Sequence, residues 1–121
     1  MTVLSVVEIK AFVPARDFDL SKAFYCDLGF TLASDQEGIA YFHLGSASFL
    51  LQDFYQEEHA SNFMMHLLVE DVASWYKNLV KNKIADKYSV RLGEPQDQPW
   101  GMRDFTLDDP TGVLWRIAQN I

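Results

Sequence analysis

The sequence lacks the features that mark secreted, membrane-spanning and nucleic-acid-binding proteins. Cys26 is the single cysteine in 121 residues, so no disulfide can form within the chain, and a reducing, cytoplasmic setting is expected. No apolar run reaches the about 18 residues of a spanning helix, and the first residues lack the basic region and cleavage site of a signal peptide. The chain has 10 basic and 17 acidic residues, a net charge of −7, which argues against a nucleic-acid partner.

The remaining composition is that of an ordinary globular protein. Hydrophobic residues make up 49% of the chain and charged residues 22%, which is typical of one domain with a buried core, here residues 1–121. The acidity suits a cationic ligand, although excess acidic charge more often serves only solubility.

Two segments of the chain resemble each other. Residues 19–25 and 71–77 each begin with an aspartate that can cap a helix and continue as an amphipathic helix carrying an aromatic residue followed by tyrosine. An apolar, strand-like run precedes each segment, at residues 3–13 and 63–69. An internal repeat of this length predicts two similar modules with a pocket between them.

Alternation and turn residues predict the elements of each module. Residues 3–13 form a strand that Pro14 ends, and Asp17 or Asp19 caps a helix that runs to about Asp27 and closes at Gly29. Strands at residues 31–35, 39–44 and 48–53 complete module one, about 1–54. After a polar linker at 55–62, module two, about 63–121, has a strand at 63–69, a helix over 71–83, a weak strand at 88–92, a loop at 93–99 and strands at 102–107 and 113–118. The predicted fold is α+β, with two tandem βαβββ modules forming a curled mixed sheet around a central cavity and helices on the outer face.

Several motifs resemble the glyoxalase/bleomycin resistance/dioxygenase group, the vicinal oxygen chelate superfamily. They are residues 14–19 (Pro-Ala-Arg-Asp-Phe-Asp), 23–25, 28–30, 100–105 (Trp-Gly-Met-Arg-Asp-Phe), 109–112 (Asp-Pro-Thr-Gly) and 116–120. The likeness to the bleomycin-resistance branch implies sequestration of a small planar or cationic molecule, such as a bleomycin-like antibiotic. It also implies a homodimer in which a second chain completes the cavity, and Pro14 would permit exchange of the first strand.

The resemblance also indicates where metal-dependent members carry their ligands. Those positions correspond to Glu8, Met64, Arg116 and a site near Leu51 or Gln52. Methionine is too soft for oxygen-chelating metals, and arginine repels a cation. The sequence therefore predicts no bound metal, no cofactor and no catalytic residue. A lyase, isomerase or dioxygenase that holds a divalent metal with Glu8, His66 and Gln52 remains the alternative.

Inward-facing strand residues and one loop residue are the candidates for contact with the ligand. Trp100 lies between Pro99 and Gly101, where an indole is difficult to bury and free to stack on a flat ligand. Glu8 and Arg116 could pair across the cavity floor, whereas a lone inward histidine such as His66 is more often a satisfied interior residue. The predicted ligand-binding set is Glu8, Phe12, Phe54, Met64, His66, Trp100, Arg103, Phe105 and Arg116.

Overall fold

The computed structural model describes residues 2–121 and contains two modules with the same βαβββ order, to which the second adds a short helix. Module one comprises β1 (Phe12–Ala15), α1 (Phe18–Leu28), β2 (Thr31–Gln36), β3 (Ile39–Leu44) and β4 (Ala47–Asp53). The short helix α2 (Glu57–Ser61) lies in the predicted linker. Module two comprises β5 (Met64–Leu68), α3 (Val72–Lys81), α4 (Ile84–Tyr88), β6 (Gln96–Gln98), β7 (Met102–Asp108) and β8 (Leu114–Asn120). The predicted α+β fold of two βαβββ modules is confirmed.

Each module forms its own four-stranded mixed sheet. The strand order is β1-β4-β3-β2 in the first sheet and β5-β8-β7-β6 in the second. In both sheets the first strand pairs in parallel with the last, and the other neighbours are antiparallel. Within residues 2–121, no helix is long and apolar enough to cross a membrane.

The two long helices begin as the sequence predicts. The Asp17 carboxylate accepts a hydrogen bond from the Leu20 N–H, and the Asp71 carboxylate accepts one from the Ser74 N–H. Both aspartates therefore satisfy backbone donors that the first helical turn leaves unpaired. Gly29 ends α1 with φ of 111°, a left-handed conformation that glycine adopts without a Cβ clash.

Burial alternates along the strands and distinguishes two faces of each sheet. Phe49 and Leu51 on β4, like Trp115 and Ile117 on β8, are buried toward the helices, and one hydrophobic core joins the two modules. The opposite face carries the intervening side chains, because successive residues of a strand point to opposite sides. We call this second side the open face. The open face bears Phe12, Tyr41, Ser48, Leu50 and Gln52 in the first sheet, and Met64, His66, Leu68, Asp104, Thr106 and Arg116 in the second.

The predicted first strand is much shorter than expected. Residues 2–11, which we call the arm, are mostly exposed, with Val7 at 96% and Ile9 at 92%. Hydrogen bonding to β4 begins with the Ala11 carbonyl, which accepts the Leu50 N–H at 3.0 Å, and the residues before Ala11 lack the partner strand that backbone groups need. Pro14 does not end the strand, because β1 is an edge strand whose proline nitrogen turns away from β4.

The predicted strand at 88–92 is also wrong. Ile84 and Tyr88 are buried four positions apart, the spacing of one helical face, and α4 ends where the strand was expected. Strand β6 lies instead within the predicted loop, where Gln96 pairs with Asp104. The sequence does not predict β6 because its residues are polar. The strand forms through its pairing with β7 and has no hydrophobic pattern of its own.

Candidate functional site

A cavity of about 430 Å³ lies where the arm passes the gap between the two sheets. Its wall combines the start of β4, the middle of β5 and residues 6–9 of the arm. Phe30, Phe49 and Trp115 form its apolar floor, and Glu8, Ser48 and His66 contribute polar groups. Two of the predicted ligand-binding residues, Glu8 and His66, therefore line the same cavity.

Glu8 attaches the arm to the first sheet. Its carboxylate accepts hydrogen bonds from Lys10 Nζ at 2.8 Å, Ser48 Oγ at 2.6 Å and the Tyr41 hydroxyl at 3.1 Å. These donors, Lys10 first and Ser48 next, lower the pKa of Glu8 to about 2. Glu8 thus stays ionised, and its expected pairing with Arg116 is wrong because nearer donors satisfy it.

Arg116 pairs instead with Asp104, within its own sheet. Its Nη1 donates to Asp104 Oδ2 at 3.0 Å, and Gln98 Nε2 donates to Asp104 Oδ1 at 3.0 Å. The pair is adjacent because Arg116 lies opposite Thr106 in the antiparallel β7–β8 ladder, two positions from Asp104. Asp104 is only 2% exposed, so the Arg116 guanidinium offsets the desolvation of a buried carboxylate.

A pocket of about 210 Å³, which we call the polar pocket, surrounds this pair. Its lining is Gly93, Glu94, Gln96, Gln98, Asp104, Phe105, Thr106 and Arg116. Gly93 permits the close approach of the loop to β7, since a Cβ there would lie 2.9 Å from Thr106 Oγ1. The polar pocket can both donate and accept hydrogen bonds.

Five of the predicted residues, His66 among them, lie at exposed positions. Phe12 and Phe54 are exposed at the two ends of the β1–β4 edge, and Met64 and His66 are exposed on the open face of β5. Trp100 lies in the tight turn between β6 and β7 and is 60% exposed. Within one chain these side chains belong to separate surfaces rather than to a single pocket.

The side chains of Arg103 and Phe105 lie on the helix face, away from the cavity that Glu8 and His66 line, although Phe105 is also among the residues that line the polar pocket. Phe105 is 2% exposed, and its ring packs edge-on against Tyr76 of α3. Arg103 precedes Asp104 on β7, so the two side chains lie on opposite faces of the sheet. The Arg103 Nε–H donates to Asp97 at 2.6 Å. Its cross-strand neighbour Gln119 accepts a hydrogen bond from the Val72 N–H at the start of α3, which identifies this side as the helix face.

Asp104 and Gln98 were not among the predicted site residues. The signal for Asp104 was present, because the alternating apolar residues Phe105 and Leu107 place Asp104 and Thr106 on the opposite face. No comparable signal exists for Gln98, whose role depends on a strand within a polar segment.

The side chains at the metal-ligand positions do not fit a divalent cation. Across residues 2–121, no three His, Cys, Asp or Glu side chains are grouped so that they could hold a metal ion. The positive Arg116 and the thioether Met64 occupy two of the expected positions, and hard cations prefer oxygen ligands. Gln52 lies four residues along β4 from Ser48, roughly 13 Å at strand spacing, and thus remote from Glu8.

Comparisons with known proteins agree with this fold. A profile of the family described as Glyoxalase/Bleomycin resistance protein/Dioxygenase superfamily matches residues 6–117. A bleomycin resistance protein from Klebsiella pneumoniae is 32% identical over 114 residues, covering 89% of this chain and 88% of that protein. The crystal structure of a bleomycin-binding protein complexed with bleomycin superposes with a TM-score of 0.82 at 29% identity, covering 96% of this chain and 100% of the other. A bleomycin resistance determinant encoded on the transposon Tn5 superposes with a TM-score of 0.78 at 26% identity, covering 95% and 98%.

Proposed function

Because this chain belongs to the glyoxalase/bleomycin resistance protein/dioxygenase superfamily, we propose that it binds and sequesters a bleomycin-like antibiotic without converting it. The observation that carries the proposal is the likeness, over nearly the whole of both chains, to a bleomycin-binding protein in complex with its drug. The curated bleomycin resistance relative supports the same function. The metal-dependent alternative has less support, since Arg116 and Met64 stand where metal ligands are expected.

We propose further that the working form is a homodimer in the cytoplasm. The arm exposes Val3, Leu4, Val6, Val7 and Ile9, each more than four-fifths accessible, and such a run of apolar side chains is unfavourable in water. Within residues 2–121, strand β5 pairs with β8 alone, so its other edge can accept a further strand. A second copy whose arm lies on that edge would cover both surfaces. The hinge would lie before Glu8, which stays bonded to Ser48 of its own sheet, since Pro14 is fixed within β1.

In this dimer the open face of one chain would meet the open face of its partner. Phe12 and Phe54 from the first sheet would then share one cavity with Met64 and His66 from the second. Trp100 supplies an exposed indole, and Glu8 a permanent negative charge, for a flat or cationic part of the ligand. Arg116 and its polar pocket would form one wall of that cavity.

Titration calorimetry with metal-free bleomycin tests the proposed function. We expect saturable binding at one drug per chain, and mass spectrometry of the recovered drug should find it unchanged. Absence of binding, or conversion of the drug to a new product, would overturn the proposal.

A further inference from the structure

The polar pocket contains a cation whose orientation is fixed before any ligand arrives. Asp104 holds one guanidinium nitrogen of Arg116 at 3.0 Å and is itself held by Gln98. Within residues 2–121, Asp104 is the one partner to which the Arg116 side chain donates. A guanidinium group carries five N–H donors, so most of them are available toward the open face.

We propose that Arg116, positioned by Asp104, determines specificity by donating hydrogen bonds to a neutral carbonyl or carboxamide oxygen of the ligand. This inference rests on the proposed function, because it names the chemical group that the same binding site selects. It differs from the planar or cationic preference that the family resemblance implies.

The Arg116 donors disfavour the other ligand classes at this point of the polar pocket, because a cationic group has no lone pair to accept their hydrogen bonds. Arg116 repels a cationic group that approaches its donors. The carboxylates of Asp104 and Glu94 outnumber the guanidinium and oppose an anionic group. A neutral acceptor avoids both penalties and still receives a charge-assisted hydrogen bond.

The rest of the lining suits an amide. The side-chain amides of Gln96 and Gln98 and the hydroxyl of Thr106 offer both donors and acceptors. A carboxamide presents one acceptor oxygen to Arg116 and an NH₂ group that such acceptors can bind. The pocket volume of about 210 Å³ is enough for a group of that size.

Three probes of almost identical shape test the inference: isobutyramide, which is neutral, isobutyrate, which is anionic, and isobutyramidinium, which is cationic. Each is titrated into the full-length protein while nuclear magnetic resonance follows the Arg116 Nε–H and the Thr106 backbone amide. We expect isobutyramide to shift both signals saturably and to bind about tenfold more tightly than either charged probe. Tighter binding of isobutyrate, or no saturable shift with isobutyramide, would overturn the inference.

Two variants separate selection from folding. Arg116→Met should abolish the saturable Thr106 shift. Asp104→Asn removes the neutralising charge and should reverse the preference, so that isobutyrate binds more tightly than isobutyramide. Arg91→Met is the matched control, because Arg91 forms a comparable pair with Asp108 at 2.6 Å but is exposed and lies outside the pocket. If Asp104→Asn does not fold, Arg116→Met and the three probes still decide the question.

The fragment titration is independent of the bleomycin titration. If the drug does not bind but Arg116 still selects isobutyramide, the proposed function is refuted and the inference about the Arg116 donors stands. If the drug binds tightly and Arg116→Met binds both the drug and isobutyramide with unchanged affinity, the inference about the Arg116 donors is refuted and the proposed function stands.

Discussion

The hydroxyl group of Tyr25, on α1 of the first module, donates a hydrogen bond to the carboxylate of Asp109, in the turn that precedes β8 of the second module. The same hydroxyl oxygen accepts the Trp115 Nε1–H at 2.9 Å. The other carboxylate oxygen of Asp109 accepts the backbone N–H groups of Thr111, Gly112 and Val113. The side chains of Tyr25, Asp109 and Trp115 are buried, so the network joins the two modules where water has little access to it.

Replacing Tyr25 by Phe should therefore lower the free energy of unfolding by about 2–4 kcal/mol, because it leaves a buried carboxylate oxygen and a buried indole N–H without partners. Urea denaturation measures the change. Tyr55→Phe is the matched control, since Tyr55 is exposed and its ring faces Arg16, and its stability should stay within about 0.5 kcal/mol of the parent. Equal stability of the two variants would show that the network does not join the modules.

The cost of Tyr25→Phe should also depend on pH. Burial raises the pKa of Asp109 above its usual 3.8, while hydrogen bonds from Tyr25 and the turn oppose that rise. A raised carboxyl pKa means that the contribution of Asp109 to stability is full below about pH 3.8 and declines as pH rises through the folded-state value. Removing the Tyr25 bond raises that value further. The difference in unfolding free energy between parent and variant should thus be larger at about pH 7 than at about pH 4, and a constant difference would contradict this account.

The Glu8 carboxylate should titrate far below an ordinary glutamate. Carbon NMR of its side chain should give a pKa of about 2, and any stability it adds should be present above 4.5 and lost as pH falls toward 2. Lys10→Met should raise the pKa most and Ser48→Ala next, following the order of their effects on the carboxylate. Lys22→Met, whose parent lysine pairs with Asp35, should leave it unchanged. A pKa near 4.5 in the parent protein would mean that the arm is not attached at Glu8.

How far the sequence predicts this structure depends on where each segment finds its partners. Helix α1 could be predicted because Asp17 and Gly29 fix its ends locally. The position of the arm could not be predicted. Alternation such as that of Val7, Ile9 and Ala11 indicates a strand whether its partner strand lies in the same chain or in another. The site was partly predictable. The family resemblance identified Glu8 and Arg116 through the positions of metal ligands, but their partners Ser48 and Asp104 come from pairing between strands distant in sequence.

The arm supplies a test of the homodimer. Replacing both Val7 and Ile9 by Glu should leave the fold intact, because each is more than nine-tenths exposed, yet should disfavour an interface that buries them. Light scattering at micromolar concentration should report a dimer for the parent and a monomer for the variant. The pair Val7→Ile and Ile9→Val keeps the apolar surface and should remain dimeric. A monomeric parent would refute the homodimer, and a variant that stays dimeric would remove the arm from the interface.

Trp100 tests the proposed stacking surface. It lies in the turn between β6 and β7 with 60% of its surface exposed, so its removal should change stability little. Stacking of an indole on a flat or cationic group contributes roughly 0.5–2 kcal/mol, so Trp100→Ala should weaken bleomycin binding by about 2- to 30-fold. Trp100→Phe retains an aromatic face and should lose less affinity than Trp100→Ala. Calorimetric titration of the three proteins, with urea denaturation as the check on folding, makes the comparison. If Trp100→Ala folds and binds the drug as tightly as its parent, the ligand contacts other aromatic residues and Trp100 has no part in the site.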